Sequence, residues 1–232
     1  MDAGDPILAL AASRPLSEPG EPPQPAIELR VMAGELALVD ARHATQVAWF
    51  GDLCCGLAPL ASGSVRFLGR DWSKLPHTYA AALRGRIGRV FSTRSWIGHL
   101  DVATNILLPQ LHHTREELGE LRQRATSLAC AFGLPGLPLV RASELSEGDL
   151  ARAACVRAFL GDPLLLVLES PVQGRYATLV PPLLDALARA RDRGAAAIWL
   201  TRSDLVWHNP SVSATHRLRL DDRGVLGTGR AA

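Results

Sequence analysis

The first residues that could do chemistry lie between an apolar segment and a helix-like one, in "GELALVDARHATQVAWF" (Gly34 to Phe50). This order of strand, loop and helix is the frame of a phosphate-binding loop, in which backbone N–H groups and a helix N-terminus hold an anion. Glycines, a lysine and a hydroxyl residue normally fill that frame. In their place stand Asp40, Ala41, Arg42, His43, Ala44, Thr45, Gln46, Val47 and Ala48. Either the loop only joins a strand to a helix, or Arg42 and His43 hold a different anion.

The apolar run "LLLVLE" (Leu164 to Glu169) is typical of a strand buried on both faces of a parallel sheet. The pair His112 and His113 is a weaker candidate, because no further residues follow it at metal-ligand spacing. We therefore predict no metal site formed by histidines.

The elements that must position these residues alternate between strand and helix patterns, which predicts an α/β fold with a mainly parallel sheet. We expect an edge strand at Ile7 to Ala12 and a hairpin formed by Ile27 to Val31 and Glu35 to Val39. A helical pattern runs from Asp101 to Cys130, and another helix begins after Ser146. Other strands are expected at 64–68, 87–91, 164–169 and 195–201, other helices at 47–57 and 179–193, and a terminal hairpin around 221–224.

Composition excludes several classes of protein. A formal net charge of +2 gives no bulk attraction to nucleic acid, and an aromatic content of 5% argues against a stacking platform for bases. No apolar run approaches the roughly 18 residues of a membrane span, and the start of the chain lacks the basic region of a signal peptide. Because the four cysteines show no metal-ligand spacing and lie in apolar stretches, we expect buried, reduced thiols.

Several segments, in order, resemble the ATPase subunits of ATP-binding cassette (ABC) transporters. These are "AGELALV", "GLAPLASGSVRFLGRDW", "IGRVFSTRSWIGHLDVATNILLP", "ELSEGDLARAACVRAFLGDPLLLVLESP" and "AAAIWLTRSD". They are similar to the strand entering the phosphate loop, the segment after it, the glutamine loop, the signature helix with its following strand, and the switch strand. The stretch "ELS" with "HHTR" also resembles ATPases of lipid and solvent-resistance (Mla-like) importers. The resemblance implies a P-loop NTPase (RecA-like) fold with an antiparallel β edge and an inserted helical subdomain.

The resemblance also assigns roles that the residues present do not match. The phosphate-loop glycines fall on Asp40, His43 and Thr45, the lysine on Gln46, and the hydroxyl residues on Val47 and Ala48. The glutamine falls on Ser92, the switch histidine on Arg202, and an aspartate after the catalytic strand on Tyr176. The chain has no aromatic residue before Trp49 to stack on adenine.

The acidic positions leave two registers open. In one, the aspartate beside Mg²⁺ falls on Glu169 and the catalytic carboxylate on Ser170, which the following Pro171 favours. In the other, shifted by one residue, Glu169 is the general base. In the signature "LSEGD", Ser146 and Gly148 match, whereas Glu147 and Asp149 replace a glycine and a glutamine. Glu147 would repel a partner subunit's γ-phosphate.

The resemblance implies a cytoplasmic subunit on the inner face of the cytoplasmic membrane, bound to a permease and to a second ABC ATPase subunit, with no nucleic-acid partner. ATP and Mg²⁺ are the implied cofactors, but the altered positions predict a pseudo-ATPase with a structural or regulatory role. The alternative is a divergent ABC ATPase that still binds or hydrolyses ATP. Candidate permease contacts are Trp96, Ile97 and Leu100. One ATPase domain is expected, with core segments at 1–91 and 159–232 and the helical subdomain at 92–158.

Overall fold

The computed structural model describes residues 4–16, 26–41, 43–92, 95–172, 177–221 and 224–230. The strands are β1 (Leu8–Pro15), β2 (Ile27–Val31), β3 (Leu36–Ala41), β4 (Leu60–Phe67), β5 (Arg70–Asp71), β6 (Ile87–Val90), β7 (Leu165–Glu169), β8 (Ala196–Thr201), β9 (His216–Asp221) and β10 (Gly224–Arg230). The helices are α1 (Ala44–Cys54), α2 (His77–Arg84), α3 (Val102–His113), α4 (Leu118–Ala131), α5 (Glu147–Phe159), α6 (Val180–Asp192) and α7 (Asp204–Trp207).

The centre of the molecule is a sheet with the strand order β10-β9-β3-β8-β7-β6, in which the neighbours from β9 to β6 are parallel. Strands β7 and β8 are buried along their whole length, as their uninterrupted apolar sequences predict. Successive residues of β3 face opposite layers: Leu36 and Leu38 pack in one core cluster, Ala37 and Val39 in the other. The mainly parallel α/β sheet predicted from the sequence is therefore confirmed.

A second, antiparallel sheet has the order β2-β1-β4-β5 among the described residues, which confirms the antiparallel part of the prediction. Two details of the prediction are wrong. The first strand is interior rather than an edge, because Leu8 pairs with Val31 on one side and with Phe67 on the other. Strands β2 and β3 form no hairpin, because the turn at Gly34 (φ 77°) carries the chain from one sheet to the other. Alternation along a strand indicates burial of one face but does not identify the neighbouring strand.

Helices α3, α4 and α5 lie in the chain between β6 and β7 and pack on one another, so a helical insertion is present where the sequence predicts one. The single helical pattern predicted from Asp101 to Cys130 is two helices, because Thr114 ends α3 and Glu117 caps α4. The boundaries of the subdomain at 92 and 158 stay a prediction.

The expectation that all cysteines are buried is correct for Cys54, Cys55 and Cys155, and wrong for Cys130, which is exposed on α4. Burial is the main reason why the pKa of Cys155 rises to about 12. All four thiols are free.

Candidate functional site

The connection between β3 and α1 is shorter than the sequence pattern suggests. Strand β3 continues to Ala41 and α1 begins at Ala44, so only residues 42 and 43 lie between them. The backbone N–H of His43 donates to the Gln46 side chain over 3.1 Å, and Asp40 lies 3.6 Å from the Arg219 guanidinium. Arg42 lies outside the described residues, which leaves the proposed anion contact at Arg42 and His43 a prediction. A connection of this length offers few free N–H groups to surround a phosphate.

The other positions of the predicted phosphate loop lie within the first turns of α1. Thr45 is exposed, whereas Val47 is fully buried in the core. The carbonyl oxygen of Ala48 accepts a hydrogen bond from Arg89 over 3.3 Å. In the first turns of α1, Val47 therefore packs in the core and the Ala48 carbonyl is engaged by another residue of the chain.

Glu169, at the end of β7, is the centre of a buried ionic cluster. Its Oε1 accepts from Arg89 Nε over 2.5 Å, and its Oε2 accepts from the backbone N–H of Ser92 over 2.9 Å. Arg89 also reaches Asp52 on α1, with 2.7 Å between Nη1 and Oδ1. Burial would lower the pKa of Arg89, but the neighbouring Cys55, Glu169 and Asp52 raise it above its usual value. Arg89 is therefore a firmly charged partner of both carboxylates.

Helix α1 approaches this cluster through a glycine. A Cβ atom at Gly51 would lie 2.2 Å from Glu169 Oε1 and 2.8 Å from Arg89 Nη2. Both carboxyl oxygens of Glu169 are engaged by donors of the chain itself, and α1 fills the space beside them. In this arrangement the residues do not fit a Mg²⁺ ion at Glu169. Within the described ranges no group of three His, Cys, Asp or Glu residues could hold a metal ion elsewhere.

Two hydroxyl groups beside Glu169 are buried without a hydrogen-bond partner, those of Ser92 and Ser170. Ser170 also has a positive φ of 46°, a conformation that costs energy for a residue other than glycine. The structure thus brings Ser92, Glu169 and Ser170 together, and their assigned roles stay a prediction. Arg202 follows β8 and is exposed, and Tyr176 lies outside the described residues.

The residues of the predicted signature form the start of α5. Ser146 is the N-cap: its Oγ accepts from the N–H of Asp149 over 3.1 Å and donates to the Asp149 carboxylate over 2.8 Å. Asp149 also contacts Arg152, with 3.1 Å between Oδ1 and Nη1. Glu147 is exposed in the first turn, next to Gly148, where a carboxylate is favoured by the helix dipole. The serine and both carboxylates therefore stabilise the helix N-terminus.

The candidate partner contacts lie in the loop before α3. Trp96 is partly buried against the core, whereas Ile97 is 39% exposed. Asn105 fixes the loop, since its Oδ1 accepts from the N–H of Ile97 over 2.8 Å and its Nδ2 donates to the Asp101 carbonyl over 2.9 Å. Leu100 is partly buried in the same loop. Trp96 is thus partly a core residue, and Ile97 is the most exposed of the three.

Sequence reasoning missed a cleft of about 210 Å³ beside this loop, lined in part by Arg84, Phe91, His113 and Arg157. The Arg157 guanidinium lies over Phe91 and Trp96, and donates to the carbonyl and the hydroxyl of Ser95 over 2.8 and 2.5 Å. Burial lowers the pKa of Arg157 to about 10. Its partners within the described residues are neutral groups and aromatic rings. The sequence feature that could have indicated this cleft is Arg157, which lies four positions before Gly161-Asp162-Pro163.

Comparison with known proteins agrees with this fold. The family model described as "ABC transporter" matches residues 52–173, which are 122 of the 232 residues. A probable export ATP-binding/permease protein MacB of Pseudomonas entomophila is 28% identical over 190 residues, 81% of this chain and 27% of that protein. The lipoprotein-releasing system ATP-binding protein LolD of Chromohalobacter salexigens is 26% identical over 192 residues, covering 82% of this chain and 78% of LolD.

Solved structures show the same architecture. The dimeric structure of MJ0796, a bacterial ABC transporter cassette, aligns with a TM-score of 0.83 at 18% identity, over 94% of this chain and 95% of that one. The first curated relatives are longer proteins: this chain spans 27% of MacB and 51% of the nopaline permease ATP-binding protein P of Agrobacterium fabrum. Each helix in the described ranges is too short or too polar to cross a lipid bilayer. The resemblance to the Mla-like branch stays a prediction. With a family model matching over half of its length and the α/β P-loop NTPase fold of an ATP-binding cassette, this chain belongs to the ABC transporter family.

Proposed function

We propose that the chain is the cassette subunit of a membrane ABC transporter, and that its own nucleotide site does not hydrolyse ATP. The observation that carries this proposal is the direct connection of β3 to α1, with two residues between them and no lysine. Phosphate binding in this frame depends on several free backbone N–H groups and on a positive charge beside the β- and γ-phosphates. Each lost charge-assisted contact weakens binding by about 1.5–3 kcal/mol.

The remaining positions support the same proposal. The charge of Glu169 is compensated by the Arg89 guanidinium. Ser170 stands where a catalytic carboxylate would be, and Ser92 replaces the glutamine. Arg202, at the switch histidine, has no neutral nitrogen to accept a proton at ordinary pH. A catalyst for ATP hydrolysis needs a base, a metal ion and positioned phosphates together. This site offers none of the three in the form that the family uses.

The role that remains is structural or regulatory. We propose that the chain pairs with a second cassette and a permease, on the cytoplasmic face of the membrane. MacB is described as an export ATP-binding/permease protein, and the MJ0796 cassette as dimeric. Ile97, partly buried Trp96 and the neighbouring cleft with Arg157 give a surface with an apolar rim and a buried positive charge. Such a surface suits a partner segment that carries a carboxylate between apolar side chains.

A divergent ATPase that still uses ATP is the second candidate. It is favoured by the likeness to the MJ0796 cassette solved in a post-hydrolysis state with ADP and Pi, at a TM-score of 0.83. Because the identity is 18%, the likeness shows the fold and leaves the chemistry to be measured.

Calorimetry with Mg-ATP distinguishes the two candidates. We expect no binding heat when the purified chain is titrated to millimolar nucleotide. A Kd below about 100 µM would instead correspond to more than about 5 kcal/mol of binding free energy and would make the ATPase the better proposal. ATP turnover by the isolated chain would refute the inactive site directly.

A mixed dimer tests the partner role. If Glu147 faces an active partner's γ-phosphate, Glu147→Gly with Asp149→Gln should raise ATP turnover of the assembled dimer, because two carboxylates are removed. Asp185→Asn, which removes one exposed charge on α6, is the control and should leave turnover unchanged. Unchanged turnover of an assembled dimer with the first variant would count against this arrangement.

A further inference from the structure

The cluster at Glu169 has the composition of a cation-binding site. Oxygen atoms come from Asp52 and Ala48 on α1 and from Glu169 at the end of β7. The hydroxyls of Ser92 and Ser170, both without a hydrogen-bond partner, belong to residues adjoining Glu169 in space and in sequence. Carboxylate, carbonyl and hydroxyl oxygens are the ligands that hard divalent cations prefer. The cluster therefore contains the kinds of ligand that such an ion prefers.

A positive charge is already present within this set of oxygens. The side chain of Arg89, on β6, is 8% exposed, and that of Glu169 is 1% exposed, so neither group can rely on water. The guanidinium contacts all three sources of oxygen, at 2.5 Å to Glu169, 2.7 Å to Asp52 and 3.3 Å to the Ala48 carbonyl. A buried carboxylate without a charged partner is strongly disfavoured, so a cation at this point stabilises the folded chain.

We propose that Arg89 is a resident cation, whose guanidinium takes the place of a bound metal ion at Asp52 and Glu169 and holds α1, β6 and β7 in one arrangement with nothing bound. Arg89 is thus a positioning residue. Its planar fork of donors suits this task better than a lysine would, because several oxygens are bound at fixed angles. The inference goes beyond the proposed function, since a cassette could lose catalysis without acquiring an internal cation.

The test removes the guanidinium and supplies a metal ion instead. Arg89→Ser should lower Tm by about 6–20 °C, because it leaves two carboxylates without their partner. Mn²⁺ at about 1 mM should then raise Tm of this variant by about 5–10 °C, since it binds only the folded chain. Mn²⁺ should bind to the Arg89→Ser variant in electron paramagnetic resonance titrations, and the wild-type chain should show neither effect.

Two variants control for unrelated causes. In Arg89→Ser with Glu169→Gln, one carboxylate is neutral, and the gain from Mn²⁺ should disappear. Arg84→Ser removes a guanidinium that lies over the Trp72 ring, as Arg89 lies over Phe91, but that donates to the carbonyls of Cys55 and Gly56. Mn²⁺ should leave Tm of that variant unchanged, because no carboxylate pair is exposed.

Three results would overturn the proposal. One is Mn²⁺ binding to the wild-type chain that Glu169→Gln abolishes, which needs no folded Arg89 variant. Another is an Arg89→Ser variant that folds and gains no stability from Mn²⁺. The third is equal loss of Tm in Arg89→Met and in Arg89→Met with Glu169→Leu, because an apolar pair should recover most of the loss. ATP turnover is measured separately and would refute the proposed function without changing these three outcomes.

Discussion

Gly51→Ala is the substitution whose effect follows most directly from the packing of α1 against the ionic cluster. In an ordinary helix this change stabilises a protein by up to about 1 kcal/mol, because alanine has the higher helix propensity. Here the new Cβ would lie 2.2 Å from Glu169 Oε1, which is far inside normal contact distance. The carboxylate cannot retreat, since Arg89 and the N–H of Ser92 hold its two oxygens at 2.5 and 2.9 Å.

The size of the effect follows from these contacts. Either α1 moves outward by about 1 Å and loses packing, or the buried ion pair opens. Overpacking costs about 1–3 kcal/mol and breaking a buried pair about 3–5 kcal/mol. After a helix-propensity gain of about 1 kcal/mol, we expect a net loss of up to about 2 kcal/mol if α1 moves and of about 2–4 kcal/mol if the pair opens, the latter equal to about 4–16 °C in Tm.

The assay is urea unfolding followed by tryptophan fluorescence, with Gly119→Ala as the matched control. Gly119 is also helical, but a Cβ there would meet Glu117 Oε2 at 2.7 Å, the atom on the surface that accepts from the N–H of Glu120 and caps α4. The control should change stability by no more than about 1 kcal/mol in either direction, because the helix-propensity gain offsets a weakened cap. An unfolding midpoint for Gly51→Ala at or above that of wild type, with an unchanged slope, would refute the described packing of α1 on Glu169.

Three further predictions concern other parts of the structure. Arg157→Met should cost about 1 kcal/mol and Arg89→Met about 3–5 kcal/mol in urea unfolding, because only the second leaves a buried carboxylate, that of Glu169, without its partner; equal costs would contradict the different environments of the two arginines. At pH 8 a maleimide should label exposed Cys130 in the native chain, whereas Cys155, with a pKa of about 12, should react only after unfolding, as mass spectrometry can show. Asp101 caps α3, and the hydrogen bonds that it accepts from Thr104 lower its pKa. The cap therefore stabilises the chain fully above the ordinary carboxyl pKa, and this stabilisation is lost as pH falls through the lowered pKa. Asp101→Asn should remove this pH dependence from the Tm.

The sequence predicted which segments form the strands of the core sheet better than it predicted which strands pair with one another. Strands such as β7 and β8 are continuous apolar runs, and their burial follows from hydrophobicity alone. The position of β1 between β2 and β4 depends on a distant pairing, since Ala11 pairs with Ser64, and no local pattern encodes such a pairing. The break between α3 and α4 was missed because apolar and charged residues keep their helical spacing across Thr114–Glu117.

The candidate site could be located from the sequence but not understood from it. Motif order named Ser92, Glu169 and Ser170 as candidates, and in the structure the N–H of Ser92 donates to Glu169. It gave no role to Arg89, which lies in a short strand among apolar residues and has its partners 37 and 80 positions away. One feature could have revealed the pair of Arg89 and Glu169. Arg89 is a charged residue in β6, and the adjacent strand β7 ends at Glu169. Arg157 escaped notice for a similar reason, since a helical arginine usually faces solvent.

The interior position of β1 has a consequence for how the chain is made and handled. During synthesis, β1 leaves the ribosome before β4 and cannot obtain its second neighbour until β4, about 50 residues later, has emerged, so this sheet closes late. A shortened version beginning at Ala26 would lose the middle of the sheet rather than its margin. It would leave β2 and β4 each with a row of bare backbone donors and acceptors. Such a product should aggregate through these strands even though the parallel sheet of the molecule remains complete.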